Sequence, residues 1–67
     1  MRGRVETFDD AAGLGVVRSD DGSCFPFHCT QIADGTRTIP EGTPVEFLVA
    51  PGHRGRWEAR DLTPLGG

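Results

Sequence analysis

Lysine and tyrosine are absent from the 67 residues, cysteine occurs twice and tryptophan once. With seven arginines set against ten acidic side chains the formal charge is −3, so bulk electrostatics opposes a polyanion and any attraction must come from a local patch. Two cysteines cannot build the multi-bridge framework that supports small secreted domains, so the core must stand largely on its own packing. No apolar run approaches the roughly 18 to 20 residues of a membrane span, and Met1-Arg2-Gly3-Arg4 leads into Val5-Glu6-Thr7 instead of an apolar signal segment. A cytoplasmic protein that makes no membrane contact is expected.

Chemistry-bearing clusters are equally scarce. Cys24, His28, Cys29 and His53 contain the residue types of a zinc site, but no Cys-x-x-Cys pair exists, and on a strand Cys29 points away from Cys24 and His28. A Cys24–Cys29 disulfide would bend one strand back on itself, so reduced thiols are expected. The Gly13/Gly15 pair precedes no helix and is not a nucleotide-binding phosphate loop. Serines and threonines lie at turns or strand ends without a convergent base, and no motif places two carboxylates in a pocket. Neither an enzyme nor a cofactor or metal site is expected.

What is abundant is punctuation: 10 glycines and 5 prolines leave no uninterrupted window with helical apolar spacing. Between the turns lie short segments rich in Val, Phe and Leu. Strands are predicted at residues 2–8, 13–18 and 24–28, with a turn at Asp9-Asp10 and a tight hairpin at Asp21-Gly22. Residues 29–44 form a long crossing segment, with one helical turn at Thr30-Gln31-Ile32-Ala33. Val45 to Val49 makes a fourth strand, Pro51 to Gly55 a glycine-rich loop, and Trp57 to Leu62 a fifth strand before a frayed tail over residues 63–67. A three-stranded meander followed by two strands after a long connection fits an all-β, five-stranded Greek-key barrel of the oligonucleotide/oligosaccharide-binding (OB) type, one domain over residues 1–67.

Several segments then converge in order: Gly3-Arg4-Val5-Glu6-Thr7-Phe8, Gly13-Leu14-Gly15-Val16-Val17, Asp21-Gly22, Phe25-Pro26-Phe27-His28, Gly42-Thr43-Pro44-Val45-Glu46-Phe47 and Ala59-Arg60-Asp61-Leu62. The chain resembles the bacterial cold-shock domain family over nearly its whole length. That resemblance implies binding of single-stranded RNA or DNA, with bases stacked on exposed aromatics and basic side chains following phosphates. The family's platform is largely replaced here. Its Lys-Trp-Phe reads Glu6-Thr7-Phe8, the two aromatics of the second strand are Leu14 and Val16, and Phe-x-His-Phe reads Pro26-Phe27-His28-Cys29. In the long loop, where the family often carries a further aromatic, the nearest residue is Thr36. Four stacks lost at ~1 kcal/mol each lower affinity by roughly three orders of magnitude, so binding is expected to be weak.

His28 keeps the family's residue type and is read as ligand-facing, against the alternative of an unpartnered strand-end imidazole. Phe8 lies near the barrel rim, where its ring can meet a base or cover the core. Leu14 and Val16 form an aliphatic patch with Pro26, whose missing N–H must face an unpaired edge. Trp57 has no counterpart in the family pattern; either it closes one end of the barrel, or it forms a substitute platform beside His53, Arg54 and Arg56. The arginines are suited to phosphate, yet equally to salt bridges with the ten acids. The candidate nucleic-acid-binding set is Phe8, Leu14, Val16, Arg18, Pro26, His28, Arg37 and Trp57. The alternative is a protein-interaction module using the Leu14/Val16/Pro26 patch, and in either case a monomer is expected.

Overall fold

A computed structural model describes residues 1–52 and 55–65. Five strands are present: β1 (Arg2–Asp9), β2 (Leu14–Ser19), β3 (Cys24–His28), β4 (Pro44–Pro51) and β5 (Trp57–Pro64). They pair antiparallel in the order β3-β2-β1-β4-β5. The meander and the return of β4 to the free side of β1 are the Greek-key path of an OB-type barrel. β3 and β5 are the two ends of the ladder, and the sheet curls until they lie side by side. Ile32 bridges Leu62 in parallel, and the Ala33 N–H donates to Leu62 O at 2.8 Å. Among the described residues no strand ladder joins β3 to β5 directly.

Local chemistry explains the turns. The Asp9 side chain accepts from the N–H groups of Ala11 and Ala12 at 3.0 and 3.2 Å, so the first connection is organised by a carboxylate reaching its own backbone. At the β2–β3 hairpin Gly22 has φ 92°, a value open to glycine at little strain, and its N–H donates to Ser19 O at 2.9 Å. The expected helical turn forms one residue early, as a 3-10 turn at Cys29–Gln31. The core comprises Val5, Val17, Phe27, Ile32, Ile39, Val45, Phe47, Ala59 and Leu62. Alternation delivers the strand members, while Ile32 and Ile39 drop in from the crossing segment.

Two boundaries differ from expectation in ways that matter. β5 continues through Thr63 and Pro64, which pair with Glu46 and Val45, and Leu65 N–H donates to Pro44 O at 2.9 Å. Chain pairing thus persists over residues 63–65, where fraying was expected, because β4 itself begins at Pro44 and offers partners, while residues 66 and 67 of that tail lie outside the described residues. In β1 the register with β2 slips between Val5 and Thr7, a bulge at Glu6. Glu6 and Thr7 are therefore both exposed, and the strand's inward parity passes from Val5 to Phe8.

Candidate nucleic-acid interface

Pairing of β2 with β3 sets the outer wall. Leu14 lies opposite His28 and Val16 opposite Pro26, so the four predicted positions share one face. Leu14, Pro26 and His28 are exposed and Val16 is half-buried. Gly15 and Phe27, the pair between them, point into the barrel. Pro26 is accommodated because β3 ends the hydrogen-bonded ladder, as its missing N–H requires.

Phe8 is not on this wall. The bulge places it opposite Gly15 on the inner side, where its ring stacks on Phe27 at 5.8 Å between centroids and 14° between planes. The ring is half-buried and packs against the core, so of its two anticipated roles the structure assigns the covering one. Gly15 leaves the room for that ring pair. A Cβ there would stand 2.5 Å from Phe27 Cζ.

Arg18 lies at the end of the wall, opposite Cys24, but its guanidinium is engaged: Nε donates to Glu6 Oε2 at 2.5 Å. The hydrogen bond from Arg18 is the chief reason the Glu6 carboxyl sits below its ordinary range, and the same bond raises Arg18. Both side chains are well exposed, and the pair contributes little stability. Its consequence is functional, since Glu6 competes with any phosphate for this cation. Arg2 and Arg60 are similarly tied to Glu46 and Glu58.

His28 ends β3 and caps the 3-10 turn. Its Nδ1 accepts the Thr30 N–H at 3.2 Å and lies 3.0 Å from Thr30 Oγ1. A ring nitrogen that accepts an N–H carries no proton, so this bond assigns the neutral ring's proton to Nε2 and leaves it as a donor for a phosphate or base oxygen. A concavity of about 380 Å³ opens beside the ring, with Thr36 and Arg37 among its lining residues. The crossing segment thus brings Arg37 to the concavity that His28 also lines, two members of the candidate set that lie nine positions apart in sequence.

Trp57 does not seal the barrel. It has the inward parity of Ala59 but begins β5 at the rim, where 57% of its surface is exposed. It lines a concavity of about 340 Å³ with Cys24, Phe25, Pro26, Gly55 and Arg56. The other proposed neighbours, His53 and Arg54, lie outside the described residues, as does any metal reading that includes His53. Cys24 and Cys29 are free thiols.

Sequence reasoning missed Glu58. It lines a third concavity, about 320 Å³, with Leu14, Pro26, Phe27 and His28, and Arg60 donates to its Oε1 at 2.9 Å. Its parity marks it as outward, since Ala59 next to it is buried. Only the closure of β5 against β3 brings it to this wall.

A small OB-type barrel whose wall is partly apolar and partly imidazole and guanidinium, and carries shallow concavities, is a binding domain. The chain belongs to the cold-shock domain family: the model of the 'Cold-shock' DNA-binding domain matches residues 1–65. Cold shock-like protein CspA of Stigmatella aurantiaca is 42% identical over 55 residues, covering 79% of this chain and 81% of that one. A cold shock-like protein of Thermotoga maritima is 38% identical over 56 residues, covering 82% and 85%. Cold shock protein 1 of Arabidopsis thaliana is 33% identical over 67 residues, covering 97% of this chain but 22% of that longer protein. The family consists of binding domains, and the chain is not an enzyme. No helix among the described residues is long and apolar enough to cross a membrane.

Proposed function

We propose that this chain is a weak binder of single-stranded RNA or DNA, acting in the cytoplasm as a single monomeric domain that holds strands unpaired. The observation that carries the reading is the shared outer wall: Leu14, Val16, Pro26 and His28 in register, with Arg37 lining the same concavity as His28. His28 Nε2–H and the Arg37 guanidinium supply donors for phosphate or base oxygens, and the aliphatic side chains supply contact area without π-faces. Weakness follows from the same wall. Its former stacking positions hold Thr7, Leu14, Val16 and Pro26, and Arg18 is occupied by Glu6.

Fluorescence anisotropy of labelled oligothymidine and oligouridine at low salt tests this reading. Micromolar affinity that His28→Ala weakens about fivefold or more is the expected result. One observation favours a second reading, a protein-interaction module: Leu14 is 53% exposed beside Val16 and Pro26, an aliphatic patch suited to a protein contact. Absence of oligonucleotide binding at high micromolar protein would favour that second reading over the first.

A further inference from the structure

We propose that bases stack on Trp57, so that a bound single strand follows the seam between β3 and β5 instead of crossing only β1 to β3. The inference rests on the nucleic-acid reading above and adds a site to it.

Apart from its two histidines, the chain has five aromatic rings, four Phe and one Trp, and those five lie among the described residues. Phe27 and Phe47 are buried, while Phe8 and Phe25 pack against the core. Trp57 alone is an exposed large aromatic. A base needs an open π-face, and among the Phe and Trp rings Trp57 offers the most exposed one. The indole sits in the concavity that it shares with Pro26 of β3, whose ring adds an apolar surface on the neighbouring strand.

The three concavities are neighbours, each sharing one lining residue with the next. The one at Trp57 shares Pro26 with the middle one, and the middle one shares His28 with the one at Arg37. Together they follow β3 from end to end, a length of about 17 Å for its five residues. That span suits a few nucleotides. Charge matches the path: Arg56 stands at the Trp57 end and Arg37 at the His28 end, and neither forms an ion pair among the described residues. Glu58 is the one anion lining the middle, and its carboxylate is held by Arg60 at 2.9 Å. A strand laid on the seam therefore finds at each end a guanidinium without an ion pair among the described residues, and an aromatic ring at one end.

Trp57 is the sole indole of the chain, so its own emission reports the contact. Oligothymidine and oligouridine titrations are followed in parallel by anisotropy of the labelled strand and by Trp57 emission. Quenching that saturates together with the anisotropy is expected. Trp57→Ala should raise Kd about tenfold and Trp57→Phe should restore it to within about threefold of the original. Arg56→Gln should flatten the slope of log K against log salt by about 0.7, the share of one phosphate on a single strand. Because Trp57 is exposed, thermal melting should barely change; should Trp57→Ala melt early, the original chain's quenching and Trp57→Phe decide. Oligonucleotide binding with unchanged emission and an unaffected Trp57→Ala would overturn the seam site while leaving nucleic-acid binding intact. Equal quenching by a blunt duplex, whose bases are already stacked, would also overturn it. No binding by anisotropy would remove both proposals.

Discussion

Gly15→Ala tests the packing that holds the binding wall in place. The added methyl would stand 2.5 Å from Phe27 Cζ and 2.7 Å from the backbone oxygen of Thr7. The oxygen belongs to β1, fixed by its ladders to β2 and β4, so relief must come from the Phe27 ring, which is itself stacked on Phe8. Overpacking of this kind costs about 1–3 kcal/mol, and the rigid neighbour places it toward the upper end. Stiffening of the unfolded chain offsets ~0.5–1 kcal/mol of that, leaving a net loss of about 2 kcal/mol. A chain of 67 residues has only about 3–10 kcal/mol in total, so the melting temperature should fall by roughly 8–16 °C. Thermal and urea unfolding followed by circular dichroism measures the loss. Phe27→Leu in the same background should recover part of it through a favourable coupling of about 1 kcal/mol, because the smaller side chain vacates the colliding position. If Gly15→Ala melts within about 2 °C of the original chain, the Phe27 ring does not occupy the space above Gly15, and the account of why a glycine stands there fails.

Glu6→Gln removes the carboxylate that holds Arg18, and anisotropy should show oligonucleotide binding tightened by about two- to fivefold, with a steeper salt dependence; unchanged affinity would mean that Arg18 meets no phosphate. Asp61 occupies the left-handed region at φ 53°, where β5 shifts register against β4, so Asp61→Ala should cost about 1 kcal/mol in urea unfolding while Asp61→Gly costs less, and equal losses would refute the backbone explanation. Stability should also fall in acid. The carboxyls of Glu6, Asp21 and Asp34 are held below their ordinary range chiefly by Arg18, by the Ser19 hydroxyl and by Thr36, respectively. Their folded forms favour the carboxylate, so the contribution is complete above the ordinary carboxylate range and is lost as pH falls through and below about 4. Melting temperature measured from pH 6 downward should drop there, and Asp21→Asn should shallow the drop; a flat profile would refute the assignment.

The limits of sequence reading show in individual residues. β3 has the boundaries that its Cys24 to His28 pattern predicts, and the hairpin before it follows from Asp21-Gly22, because turn chemistry and alternation act over a few residues. Parity along β2 and β3 was enough to put Leu14, Val16, Pro26 and His28 on one wall. Parity failed in β1, where one extra residue at Glu6 carries Phe8 to the inside. Nothing local announces that bulge. Arg18 looked available because its partner lies 12 positions away and meets it only across the pairing of β1 with β2. The wall's far border was hidden for the same reason, since Trp57, Glu58 and Pro26 become neighbours only when the barrel closes.

The order of short strands, their turns and the family therefore belong to the sequence alone, because each depends on residue types at near neighbours and on their linear order. Tertiary structure decided which rings are withdrawn, which arginines are occupied and that β5 borders the wall. Those outcomes depend on bulge position and barrel closure, which arise from packing between segments distant in the chain and leave no signature in any one of them.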